Sequence, residues 1–96
     1  MSEKLNQQSI QSWMAKRSGW TVKEGALVKE WRFKSFRDSI VFVNRIASLA
    51  DESNQQPEIT IRGGHVRIAL STPRSGGIGK KDLELAQGID FATSAR

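Results

Sequence analysis

Glu58-Ile59-Thr60-Ile61-Arg62-Gly63-Gly64-His65-Val66-Arg67-Ile68-Ala69-Leu70 is the stretch that decides how this chain folds. Two runs rich in β-branched residues flank a Gly-Gly pair. Period-two alternation sets Val66, Ile68 and Leu70 on one side of the second run and His65 and Arg67 on the other. Glycine adopts positive φ without a Cβ penalty, so Gly63-Gly64 suits a two-residue hairpin turn. The spacing therefore predicts paired strands over Glu58–Arg62 and His65–Ser71, with one apolar face and one polar face. This accounts for Gly63 without a ligand. His65, on the polar face, reads as a solvent-side residue beside the turn, with partner contact as the alternative. One His in a chain without Cys cannot complete an ordinary three- or four-ligand zinc site, so no metal is expected.

An apolar sheet face needs a covering layer, and the flanking segments supply helices. Ser35 followed by Asp38 reads as an N-cap with an acid in the first turn, opening a helix from Phe36 to about Ser53 that contains no Gly or Pro. On a helical wheel Phe36, Ile40, Val43, Ala47 and Ala50 form one stripe. Phe42, Ile46 and Leu49 widen it to roughly 180°, more than one sheet face requires. Either the N-terminal helix covers this excess within the chain, or copies pack helix to helix through Phe42, Ile46 and Leu49. Both readings stand at the level of sequence.

Upstream, Trp20 to Lys23 and Leu27 to Phe33 predict a first hairpin turning at Glu24-Gly25, with Leu27, Trp31 and Phe33 facing one way and Val28, Glu30 and Arg32 the other. Ile10, Trp13 and Met14 give a short N-terminal helix after a polar, loose segment over residues 1–8. A last helix is predicted from Lys80 to about Asp90, turning Leu83, Ala86 and Ile89 or Leu85 inward, with residues 91–96 frayed. The order is α-β-β-α-β-β-α: an α+β two-layer sandwich in which a four-stranded antiparallel sheet carries its helices on one face.

Ninety-six residues suit one small domain over 1–96, a size at which self-association often supplements a modest core. With 38% hydrophobic and 26% charged residues the chain reads as ordinary soluble globular. No segment approaches the ~20 apolar residues of a membrane span. The absence of Cys and of a secretory pattern is the expectation for a cytoplasmic protein. The formal charge of +5 is spread along the chain with no dense basic run or aromatic RNA-reading motif, so solvated surface is set above nucleic-acid binding. Gly76-Gly77-Ile78-Gly79-Lys80-Lys81 lacks both the earlier Gly and the Ser or Thr after Lys that a phosphate loop requires, and reads as the entry to the last helix.

From about Trp20 to Asp90 the chain resembles the pterin-4a-carbinolamine dehydratases. The resemblance rests on Gly19-Trp20, Phe33-Lys34-Ser35-Phe36, Pro57-Glu58, Val66 to Leu70, Ser71-Thr72, and Gly77-Ile78 with Asp82 and Ala86. It implies the same element order. The family's catalytic pattern is an acid, a His-His-Pro run, an aromatic, a third His and an Asp. Without a gap it falls here on Asp51, Gln55-Gln56-Pro57, Gly63, Pro73 and Asp82. The acids are retained and every histidine is replaced.

Dehydrating a 4a-hydroxypterin requires one group to take a ring-nitrogen proton and another to protonate the departing hydroxyl. Imidazole, with its pKa near ~6.5, suits both tasks, whereas an amide only donates or accepts hydrogen bonds. Each lost acid–base group removes roughly 10²- to 10⁴-fold of rate. A retained scaffold without these groups points to binding. The resemblance is to the branch associated with α-carboxysomes that acts as a Rubisco assembly factor. It implies the Rubisco large subunit as partner, dimers or tetramers, no cofactor, and a location in the cytoplasm or beside carboxysomes. The polar sheet face would then offer Arg32, Arg62, His65 and Arg67 to the partner through Arg forks. The alternatives are a residual dehydratase working through Asp51 and Asp82, and a dimerisation coactivator module for a transcription regulator.

Overall fold

A computed structural model describes residues 7–15, 19–72 and 77–94. The elements run α1 (Gln7–Ala15), β1 (Thr21–Lys23), β2 (Ala26–Arg32), α2 (Phe36–Ser53), β3 (Glu58–Arg62), β4 (His65–Leu70) and α3 (Lys80–Ser94). The strands form one antiparallel sheet in the order β1-β2-β4-β3. This is the predicted α+β sandwich. β1, β2 and β4 each begin or end one residue from the expected bounds, and two helices are longer than expected: α1 already includes Gln7 and Gln8 of the segment expected to be loose, and α3 continues through Phe91 to Ser94. The extension has a local reason: no Gly or Pro after Asp90 stops the helix.

Both hairpins close as their residues dictate. In β3–β4 the register pairs Arg62 with His65 around Gly63-Gly64, and Gly63 takes φ 55°. Gly64 has a different constraint. Its carbonyl accepts from the Phe33 N–H at 2.6 Å, and a Cβ built on it would collide with the Phe33 carbonyl oxygen. The first hairpin turns at Glu24 and Gly25, both at positive φ.

Helix α2 is capped at both ends. Ser35, extended at φ −147°, accepts from the Asp38 N–H at 3.1 Å. At the far end Asn54 is left-handed, with its N–H on the Asp51 carbonyl and the Gln55 N–H on the Ala50 carbonyl, the two bonds of a Schellman motif. Asn tolerates this conformation better than most residues, which is why the helix stops there.

The core lies between the sheet and the helices: Leu27, Ile46, Val66, Ile68, Ala86 and Ile89 are all fully buried. The excess apolar arc of α2 is covered inside the chain, by Trp31 and Phe33 as well as by α3. Phe42 is 7% and Ile46 0% exposed, and Leu49 packs against the core beside Gly88. Phe42 and Ile46 are therefore core residues of the chain and not a free face for another copy, whereas Leu49 is only partly buried. Helix α2 instead leaves Phe36 and Val41 exposed, and α3 leaves Phe91.

Aromatic rings link the elements. Trp13 of α1 meets Trp20 edge-on at 6.2 Å, Trp20 meets Trp31 at 5.9 Å, and Trp31 and Phe33 each lie 5.0 Å from Phe42 of α2. Such tilted and edge-on geometries are those that aromatic quadrupoles favour.

Candidate functional site

The Schellman turn ending α2 directs the chain so that Gln55 leaves the helix facing the start of α3. Its Nε2 donates to Oδ1 of Asp82 at 2.7 Å. The other carboxylate oxygen accepts from the Thr72 hydroxyl and from the Gly79 N–H, each at 2.8 Å. Asp82 is completely buried. Gly79 immediately precedes α3 and Asp82 sits three residues on, so the carboxylate closes half of a capping box: the side chain reaches back to the cap N–H while the Asp82 N–H meets the Gly79 carbonyl at 3.1 Å. An antiparallel bridge joins Thr72 to Gly77.

Here the residue types and the chemistry part company. Three obligatory or available donors occupy a carboxylate whose lone pairs would otherwise serve a ligand. Gln55 thus works as a strut between the end of α2 and the start of α3, and an amide in that place exchanges no proton near neutral pH. Gln56 and Asp51 are exposed. Gly63 offers no ring, and its carbonyl accepts from the buried Ser39 hydroxyl at 2.8 Å. Pro73 lies outside the described residues. Among the described residues no three His, Asp or Glu side chains converge as metal ligands.

The second set of expected residues lies on the sheet face away from the helices. Arg32, His65 and Arg62 occupy one cross-strand rung, and Glu30, Arg67 and Thr60 the next. His65 Nε2 contacts Glu30 Oε1 at 2.9 Å across the diagonal. The hydrogen bond from His65 holds the Glu30 carboxyl below its ordinary range; the charges of His65, Lys23 and Arg67 act in the same sense, and slight desolvation opposes them. The four expected basic residues therefore form one surface strip, with His65 engaged by an acid and half-buried.

Sequence reasoning missed Lys29. It lies on the helix-facing side, where its Nζ meets Oδ1 of Asp90 at 2.8 Å and stands over the rings of Trp20 and Trp31 at 5.7 and 5.4 Å. The Trp20 indole N–H donates to the other oxygen of Asp90 at 2.8 Å. The alternation that turned Leu27 and Trp31 inward places Lys29, midway between them, inward too. That was the available signal.

A third feature is a cleft of about 410 Å³ at the opposite end of the α2–α3 pair from Gln55 and Asp82, bounded by the end of β2, the first half of α2 and Ala92 of α3. Sequence reading gave no sign of it.

Comparison with known proteins agrees with the fold and with the family motifs. The family model described as Pterin 4 alpha carbinolamine dehydratase matches residues 3–92. A protein of Thermomicrobium roseum assigned by name to pterin-4-alpha-carbinolamine dehydratase is 40% identical over 88% of this chain and 90% of its own. One of Herpetosiphon aurantiacus with the same assignment is 44% identical over 90% of each. Among solved structures, a transcriptional coactivator/pterin dehydratase from Brucella melitensis superposes with a TM-score of 0.87 at 20% identity, covering 93% of this chain and 97% of that one. A pterin dehydratase-like protein identified as a RuBisCO assembly factor in the alpha-carboxysome superposes with a TM-score of 0.62 at 24% identity, covering 78% and 89%. On the matched span, the retained motifs and the shared fold, the chain belongs to the pterin-4a-carbinolamine dehydratase family.

Proposed function

We propose that this chain is a non-catalytic member of its family that binds a protein, and that it acts as an assembly factor for Rubisco through the large subunit. One observation carries the first part: the position of the family's first catalytic histidine holds an amide fastened to Asp82, so the retained acid is engaged in joining helices. The second part draws on the solved relative whose stated role is RuBisCO assembly. Binding an incompletely assembled form more tightly than the finished enzyme would mask an assembly surface and release it on completion. The strip of Arg32, Arg62, His65 and Arg67 is the proposed docking face, since Arg forks engage carboxylates bidentately. Self-association into dimers or tetramers, and a place in the cytoplasm beside carboxysomes, belong to the same reading.

The test is co-expression of Rubisco subunits with and without this chain. A higher yield of assembled enzyme is expected, and equal yields would remove the Rubisco assignment. Purified chain mixed with a 4a-hydroxytetrahydropterin should dehydrate it no faster than buffer. A second reading, a working dehydratase using Asp51 and Asp82, is favoured by the 40% and 44% identical relatives that carry that assignment. Turnover by wild-type protein that Asp82→Ala reduces would establish it. Co-purification with a DNA-binding protein would instead favour a coactivator module.

A further inference from the structure

The cleft at the N-terminal end of α2 combines two features. Its wall is apolar, formed by Phe33, Val41 and Phe42, with Val41 54% exposed. Its rim carries Arg32, Lys34 and Arg45, and among the described residues none of these three cations has an ion-pair or hydrogen-bonding partner. The acid at the rim, Asp38, sits in the first turn of α2, where the helix dipole favours a negative charge. Unpaired cations around an apolar wall suit an anion with a hydrophobic part, and a volume of about 410 Å³ falls in the range of ligand sites.

Arg32 decides between a small ligand and a macromolecule. It lies on the rim of the cleft and also on the sheet rung with His65 and Arg62, so the basic strip runs into the cleft without a break. We propose that the cleft receives an acidic segment of a protein partner, with one apolar side chain of that segment against Phe33, Val41 and Phe42, and its carboxylates on Arg32, Lys34 and Arg45. The apolar anchor sets where the segment sits, and the cations select its charge. This rests on the protein-binding reading and specifies the chemistry of the partner.

The experiment is titration of ¹⁵N-labelled protein with a blocked hexapeptide of Asp and Glu around a central Leu, in parallel with the same peptide bearing Ser for Leu, inorganic phosphate, and a single-stranded DNA oligonucleotide. Saturable shifts are expected at Arg32 to Asp38, Val41, Arg45 and Ala92, with Gln55 and Asp82 undisturbed. The Ser peptide and R45E should each bind about tenfold more weakly. A folded V41E, verified by its own spectrum, should not bind. Equal binding of the Leu and Ser peptides, equal binding of phosphate or DNA, or shifts elsewhere would overturn the proposal. The outcome is separable from the Rubisco assignment. If wild-type chain raises Rubisco yield and R45E/V41E raises it equally, the cleft proposal fails while that function stands; if wild type has no effect on yield, the titration still decides the cleft.

Discussion

Asp82 shows how firmly a single side chain of the family's pattern can be held. Its two oxygens take hydrogen bonds from Gln55, Thr72 and the Gly79 N–H. Truncation to Ala leaves buried donors unmatched and uncaps α3, and a net loss of about 3 kcal/mol is expected in urea unfolding. Gln55→Ala removes one donor and should cost about 1 kcal/mol. Any pterin turnover that wild type shows should be unchanged in Gln55→Ala, as for a strut, whereas a fall would mark a catalytic group. A second residue-scale contrast lies in the hairpin turn. Gly64→Ala drives a Cβ into the Phe33 carbonyl and should cost roughly 2–3 kcal/mol. Gly63→Ala meets open space and only the left-handed backbone, so about 1 kcal/mol is expected. That glutamines stand at Gln55 and Gln56 was legible from residue identities alone. The bond from Gln55 to Asp82 was not, because it joins positions far apart in the chain through a turn whose geometry depends on Asn54.

Among the elements, the sheet's polar face and helix α2 were read with unequal success. The alternation of β3 and β4 gave both the strands and the basic strip, since side-chain direction in a strand follows from period two alone. Helix α2 had its bounds legible from Ser35 and from the lack of Gly and Pro, but not the partner for its apolar arc. Phe42 is covered by the rings of Trp31 and Phe33, and Leu49 lies beside Gly88 of α3, a choice made by packing that no wheel reveals. On the polar face the Glu30–His65 contact makes a pH prediction. Glu30 has its folded pKa depressed, so its contribution is fully present above the unfolded value near 4.5 and is lost as pH falls through the lower folded value. The stability difference between wild type and Glu30→Gln should therefore shrink below about pH 4.5, and also shrink in high salt, because the pair is exposed. A difference that grows on acidification would contradict that sign.

On the scale of the whole molecule, Lys29 and Asp90 fasten the sheet to the last helix, with the Trp20 indole on the same carboxylate. Side chains of 19% and 23% exposure place the pair between surface and core, so a double-mutant cycle of Lys29→Ala and Asp90→Ala should give a coupling of roughly 1 kcal/mol. A coupling near zero would mean the ammonium rests on the rings alone. The element order, and hence the two-layer shape, was readable because most elements carried their own period; β1, three exposed residues, was marked by the turn at Glu24-Gly25 instead. The cleft and the Lys29 clasp were not, because each depends on where separate elements come to rest. The edge-on indoles of Trp13, Trp20 and Trp31 have an optical consequence: neighbouring transition dipoles held at fixed angles couple, so the native protein should give an exciton-split circular dichroism signal. Detachment of the first helix should erase the part due to Trp13 while Trp20 and Trp31 keep theirs, making the chain its own reporter of partial opening.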